Sequence, residues 1–353
     1  MARLSGRRVV VAGAGAIGSM LALRLAQQGA QVLLTDPSPL GANASGVAAG
    51  MLAPAFEAAL DPLSAGRFDL LREARDLWPA AGAPQMARAG AVWVGDEASN
   101  AVLLEKLRAM GARAELLEPA AAESLSPGLK APAGAVFTPE DWMLEPQATL
   151  AALRQALLRE GGAARPAAVL GWTGAAARFS DGSAWSADAL VLAAGLAAEG
   201  LEEPPPELAC LAPVKGQIAS LAGAPPLEGP VVRGEGIYVA PRASGAVIGA
   251  TMEAGRRDLT IDTDAMDRLR AGAARLFPGL TSALVSGAAG IRASTPDGLP
   301  LVGAGRTPGI WLAMGARRNG WLLAPLIAEI IVGQLAGGEG GRWAPPMAPG
   351  RAF

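Results

Sequence analysis

Arg8-Val-Val-Val-Ala-Gly13-Ala-Gly15-Ala-Ile-Gly18 is a short apolar run that breaks on glycines, and a second apolar run from Gln31 ends at Asp36. The order predicts a strand, a tight turn and a helix, followed by a second strand that closes on an acid. A protein holds an adenine dinucleotide in this way. Gly13 lets the chain leave the strand sharply, Gly15 keeps side chains away from an approaching pyrophosphate, and Gly18 lets the helix pack closely on the strand. The helix start then points unpaired amides at the anion. Asp36 stands where a carboxylate would accept hydrogen bonds from a ribose. An ordinary βαβ unit could carry the same glycines, but strand, helix and acid are all present in register. Ile17, Leu21 and Leu25, with Met20 beside them, form the helix's apolar face; Gly29 ends it and Pro37-Ser-Pro39 breaks the second strand.

Composition limits the chemistry. The 353 residues suggest about two domains, and 30 basic against 32 acidic residues leave a net charge of −2. No basic field exists to gather nucleic acid or an anionic membrane, so a small-molecule partner is expected. Mean hydropathy is +0.30, yet alanine and glycine supply much of it, and the best apolar stretch, Gly320 to Gly333, is too short to span a membrane. The apolar run behind Arg3, Arg7 and Arg8 is the first strand, so no signal peptide is read there. The single Cys210 excludes an intramolecular disulfide and fits the cytoplasm; a small buried apolar side chain is its simplest role. The chain has no histidine, which excludes histidine triads, histidine general bases and histidine-ligated zinc.

Ala189-Leu-Val-Leu-Ala-Ala-Gly195 and Gly309-Ile-Trp-Leu-Ala-Met-Gly315 are again short apolar runs that close on glycine. The second leads through Arg317-Arg318-Asn319-Gly320 into an apolar helix from Trp321 to about Leu335. Parallel strands need crossovers, so these units predict one α/β sheet assembled from separated segments, residues 1–84, 145–208 and 286–341. Gly90–Gly95, Gly134–Phe137 and the region from Pro213 to Met252, with a turn at Pro241–Gly245, predict a second, mostly antiparallel domain over 85–144 and 209–285. Residues 342–353, rich in proline and glycine, are expected as a mobile tail.

After the acidic strand the side chains stay small through Ala44-Ser45-Gly-Val-Ala-Ala49-Gly50, up to Met51. A flat cofactor could pass here beside bare backbone, or helices could pack closely. Together with the glycine turns, Val47–Leu52, Glu140-Asp-Trp-Met-Leu-Glu-Pro146, Pro213–Gly216, Tyr238-Val-Ala-Pro-Arg242, Gly249–Met252, Gly290-Ile-Arg292, Pro296–Pro300 and Arg318-Asn-Gly320 resemble the amino-acid oxidase family of flavoproteins, its glycine-oxidising branch above all. The resemblance runs over nearly the whole chain. It implies a two-domain flavoprotein oxidase fold, with a Rossmann-like FAD-binding domain and a mostly antiparallel substrate domain.

It further implies FAD lined by Gly13, Gly15, Ala16, Ile17, Gly18, Asp36, Pro37, Ala44, Ser45, Ala49, Gly50 and Met51. Val169 would reach the adenine side through its backbone, Gly195 would lie beside the cofactor, and Ala316, Arg317, Arg318, Asn319, Gly320, Trp321 and Leu322 would hold the flavin edge. Arg292 would bind a substrate carboxylate, where the alternative is a structural ion pair. Tyr238 would add a hydroxyl, unless its ring merely packs in a strand, and Met252 would wall the pocket, unless it fills core. Arg318 would lie near substrate, whereas Arg317 could face solvent. Some family members have a histidine shortly before the tyrosine and another before the arginine loop; Gly236 and Ala316 stand there in this chain, so a roomier pocket is expected.

The implied reaction is oxidation of glycine, sarcosine or D-amino acids to an imine or keto acid, ammonium and hydrogen peroxide. Oxygen is the acceptor, and dehydroglycine for thiamine synthesis is one destination. A homo-oligomer is implied as well. The rivals are a dehydrogenase feeding quinone, a nicotinamide-dependent reductase, and a flavin-binding protein without turnover.

Overall fold

The computed structural model describes residues 4–81, 86–222, 227–242, 245–281 and 284–353. Its organising sheet has six strands in the order Leu301–Ala304, Ile310–Met314, Ala189–Leu192, Arg8–Ala12, Gln31–Thr35 and Ala163–Arg165. All neighbours run parallel except the edge pair Leu301–Ala304 and Ile310–Met314. The sheet is thus assembled from the start, middle and end of the chain, as the three glycine-closed runs predict. Alternation along the strands sorts the two faces. Val9, Val11, Ala189, Val191 and Ala313 pack with the helices Ala16–Gln27 and Gly320–Leu335. Val10, Ala12, Leu190, Leu192 and Leu312 pack on the other side, with Ala177 and Phe179 of a three-stranded antiparallel sheet. Because both faces are covered, the strands read as continuous apolar runs.

The second sheet runs Glu253–Ala254, Ala212–Ala222, Gly245–Gly249, Ile237–Arg242, Val231–Gly234, Ala91–Trp93, Ala135–Thr138 and Glu115–Leu117. It is antiparallel except where Val231–Gly234 meets Ala91–Trp93. Helix Thr263–Leu276 packs Met266, Leu269 and Ala273 against Ile248, Val232 and Val239 on this sheet. Of the turn expected at Pro241–Gly245, residues 243 and 244 lie outside the described residues.

Leu284–Ser294 pairs with Ala212–Ala222 over its whole length, from Ala222↔Leu284 to Ala212↔Ser294. Residue 286 therefore falls inside a strand of the second sheet, and the chain changes sheets only after Ser294. There Ser294 bridges Ala316, and the Arg317 amide donates to the Ala293 carbonyl at 2.9 Å. The end of this strand is the seam between the two sheets.

The tail is tied down, contrary to the expectation from its composition. Ala344–Met347 is helical, and Ala344 and Met347 are buried. Arg351 pairs with Asp297 at 2.9 Å and donates to the carbonyls of Leu299 at 2.6 Å and Pro300 at 3.0 Å. Proline and glycine here shape a docked turn instead of a free end. Arg351→Ala should lower stability by ~1–3 kcal/mol, as loss of a charge-assisted network does. It should also expose the last dozen residues to limited proteolysis; unchanged cleavage kinetics would refute the docking.

Candidate functional site

Two cavities meet at the seam. One, about 480 Å³, is lined by the first glycine turn, Asp36, Ala44, Ser45, Ala193–Ala197 and Gly315–Arg318. The other, about 380 Å³, lies against the second sheet and is lined by Ala48–Met51, Tyr238, Met252, Glu57 and Arg233 among others. Ala44, Ala48, Arg292, Arg318 and Trp321 line both, so the two are continuous.

The nucleotide end is built by close backbone approach. A side chain on Gly13, whose φ is +104°, would come within 2.6 Å of the Ala193 carbonyl. One on Gly18 would come within 1.8 Å of the Gly13 carbonyl, which is why strand and helix can touch. Gly18 thus packs beneath the site and lines no cavity. The Asp36 carboxylate accepts from the Ala14 amide at 2.8 Å and the Ser38 amide at 2.9 Å, and each oxygen retains a lone pair for a ribose hydroxyl. Ser45 accepts from the Ala16 amide at 2.9 Å, and the Trp321 indole donates to the Ser45 carbonyl at 3.0 Å. Arg242 donates to the Ala49 carbonyl at 2.7 Å and fixes the small-residue segment.

Not every expected cofactor residue comes to these cavities. Pro37 lies in a smaller one of about 210 Å³ on the far side of Asp36, shared with Arg154 and Arg165. Val169, expected to reach the adenine side through its backbone, sits on the three-stranded sheet with its side chain packed beneath the six-stranded sheet, and it lines none of these cavities. Leu322 is turned into the helix core. Gly50, by contrast, does line the cavity against the second sheet, and at φ +74° it leaves room for the Leu144 carbonyl, which a side chain would meet at 2.2 Å.

Arg292 and Tyr238 are brought together by strand register. Gly216 stands across from Gly290, and a side chain on Gly216 would strike the Arg292 guanidinium at 2.0 Å. Gly249 is opposite Tyr238, where a side chain would meet the phenol oxygen at 2.5 Å. Two glycines thus make room for the two polar groups. Among the described residues no carboxylate lies within 4.0 Å of Arg292; its contacts are the Thr251 carbonyl at 3.4 Å and the Met252 sulfur at 3.5 Å. Burial pushes its pKa down, Arg318 and Arg317 push the same way, and Tyr238 opposes them. Burial likewise drives the Tyr238 phenol up to about 12, so it stays protonated. Met252 is 42% exposed at the cavity edge and fills no core.

The cluster beside them is absent from the sequence reading. Helix Pro54–Leu60 presents Glu57, and Asp61 follows four residues later on the same face. Arg318 pairs with Glu57 at 2.5 Å and Asp61 at 3.3 Å, Arg317 pairs with Asp61, and Arg233 reaches Glu57 at 3.3 Å. Arg317 therefore does not face solvent; an acid four residues past another, with two adjacent arginines, was the available signal. The turn that aims the arginine pair requires φ +51° at Arg317. Among the described residues no cluster of metal-ligating side chains occurs, and no helix is long and apolar enough to cross a membrane.

Comparison with known proteins gives the same outline. A family model described as FAD dependent oxidoreductase matches residues 8–334. The chain is 30% identical to a glycine oxidase of Pseudomonas putida, over 94% of this chain and 95% of that one. It is also 30% identical to the tRNA 5-methylaminomethyl-2-thiouridine biosynthesis bifunctional protein of a Caulobacter species, of which it covers 54%. Its fold superposes on the crystal structure of glycine oxidase from Geobacillus kaustophilus with a TM-score of 0.86 and 26% identity, covering 98% and 100% of the two chains. The glycine turn, the Asp36 carboxylate and the small residues Ala193, Ala194 and Gly195 suit FAD.

Asp141 supports the acid-bearing helix from below. It accepts from the Ala55 amide at 2.8 Å and the Phe56 amide at 3.2 Å. Complete burial pushes its carboxyl up to about 7 from 3.8 despite these donors. Between about pH 4 and 7 the folded chain then holds a proton that the unfolded chain has released, so stability falls as pH rises through that window. The loss is at most on the order of 4 kcal/mol. Asp141→Asn should remove this slope, and its melting temperature should gain on the parent between about pH 4 and pH 8. A gap that stays constant with pH would contradict it.

Proposed function

We propose, for a chain that belongs to the FAD dependent oxidoreductase family, the oxidation of glycine or another small amino acid, with sarcosine and D-amino acids in the same class. FAD is its cofactor, and when bound it supplies the acceptor for the hydride that leaves the substrate α-carbon. The observation that carries the reading is Arg292, a half-buried cation at the junction of the two cavities with no acid partner among the described residues. A substrate carboxylate completes it through two parallel hydrogen bonds. The protonated Tyr238 phenol donates a further bond to the same group.

With its carboxylate held there, the α-carbon of the substrate is turned toward the wall of small residues Ala48 and Ala49, beside Trp321. Glu57 and Asp61 hold Arg318 and Arg317 beside it, which leaves Arg292 as the cation free to take the substrate. Orientation is the principal contribution of these residues, and a neutral substrate amine needs no side-chain base. Loss of the α-hydride and of one amine proton leaves an imine. Water then converts it to a keto acid and ammonium, or it serves as dehydroglycine for thiamine synthesis. Molecular oxygen is the proposed electron acceptor, yielding hydrogen peroxide. The tRNA-modification relatives suggest an amine carried on RNA instead, but a net charge of −2 gives no overall attraction for RNA. The unpaired cysteine and the small substrate accord with a cytoplasmic enzyme.

Anaerobic mixing with glycine, sarcosine or a D-amino acid should bleach the flavin absorbance. Arg292→Ala should raise the concentration required by ~100-fold, about 3 kcal/mol for a lost charge pair. Tyr238→Phe should raise it by ~5-fold, about 1 kcal/mol. Peroxide formed in step with substrate in air identifies an oxidase, and its absence with turnover of an added quinone identifies a dehydrogenase. Flavin that no amino acid bleaches would refute the reading.

A further inference from the structure

Residues 251–262 leave the second sheet, pair briefly as Glu253–Ala254 with Lys215 and Val214, and return to helix Thr263–Leu276. Such a segment would ordinarily be a loose connection, yet fully buried groups hold it. Lys215 donates from its ammonium to Asp258 at 2.7 Å and to the Thr260 carbonyl. Gln217 donates to Glu253 at 2.6 Å and accepts from the Asp262 amide at 2.7 Å. Arg256 joins Glu253 at 2.7 Å and Asp258 at 2.9 Å. A buried ammonium needs such partners, so the segment is fixed wherever Lys215 is.

The strap sends its two arginines to different places. Arg256 stays within the network, while Arg257 extends over the rim of the nucleotide cavity and pairs with Glu199 at 2.6 Å. Glu199 belongs to the turn Gly195–Gly200 that follows a strand of the six-stranded sheet. The cations lining this cavity are Arg257, Arg292, Arg317 and Arg318. Arg317 and Arg318 are paired with Asp61 and Glu57, and Arg292 also lines the cavity against the second sheet. Asp36 adds a negative charge at the ribose end. Of the three acid-paired cations in this cavity, Arg257 is the one whose partner is half exposed, so an anionic diphosphate finds it the most easily released. The Glu199 pair is half exposed, at 54% and 36%, and is weakened by solvent screening.

We propose that Arg257, carried across from the second sheet, binds the diphosphate of FAD, and that Lys215 is the positioning residue for the strap that delivers it. The proposal rests on FAD as cofactor and not on the identity of the substrate. A guanidinium prefers a doubly charged diphosphate to a solvent-screened carboxylate. Glu199 is then an alternative partner of Arg257, not a part of the grip.

The test is titration of FAD, ADP and adenosine into the full-length protein stripped of flavin, followed by flavin fluorescence quenching or calorimetry. Arg257→Gln should weaken FAD and ADP by ~10-fold or more while adenosine changes by less than ~2-fold, and Arg257→Lys should recover part of the loss. Glu199→Gln should leave FAD affinity the same or tighter. The proposal is overturned if Arg257→Gln leaves FAD and ADP unchanged, if adenosine weakens equally, or if Glu199→Gln weakens FAD as much as Arg257→Gln. The last result would make the pair a simple latch. Arg257 is exposed on a strap whose anchors it does not supply, so unchanged circular dichroism of the variants is expected.

Discussion

The antiparallel pairing of Leu284–Ser294 with Ala212–Ala222 is the constraint on which the site depends. A strand that long belongs firmly to the second sheet, yet its last residues meet Ala316 and Arg317 at the edge of the first. Because side chains alternate and register is shared, the strand decides which residue stands at the seam. That residue is Arg292. A slip of one residue would turn it to the opposite face of the sheet and put Ile291 or Ala293 in its place. Eleven paired positions make such a slip costly, so a loop-like degree of precision is obtained from regular structure.

Around that seam the charges are arranged so that one cation is left over. Glu57 and Asp61 sit on a single helical turn and engage Arg233, Arg317 and Arg318 between them. Burying any of these alone would cost several kcal/mol, whereas the cluster supplies each with a partner. Asp141, beneath the helix, accepts from its first amides and so sets where the acids point. The Glu140–Pro146 block therefore acts on the site from a distance: Asp141 seats the acidic helix, and the Leu144 carbonyl closes against Gly50.

The nucleotide half was legible because its signals are local. A glycine turn, an apolar face repeating every four residues and an acid at a strand end lie within 30 residues of one another. The strands at 189 and 310 were legible as well, because burial on both faces leaves an uninterrupted apolar run. What could not be read is what depends on pairing between distant segments. Nothing local distinguishes Gly216 or Gly249 from a dozen other glycines; only the registers with Leu284–Ser294 and Ile237–Arg242 show that Arg292 and Tyr238 occupy the space they leave. Glu57 and Arg318 are 261 positions apart, and the tail misled because proline and glycine serve a docked turn as well as a loose one.

The burial of Tyr238 has a consequence for how this protein meets its surroundings. With the phenol pushed up to about 12 and no histidine anywhere in the chain, the hydroxyl expected to help grip a carboxylate keeps its proton in acidic and mildly alkaline water alike. That donor is blind to acidity. Whatever rise in turnover accompanies a more alkaline medium would then be a property of the guest, whose own nitrogen must shed a proton before it can react. The hydroxyl is a fixed part of the mould, and the substrate is the indicator.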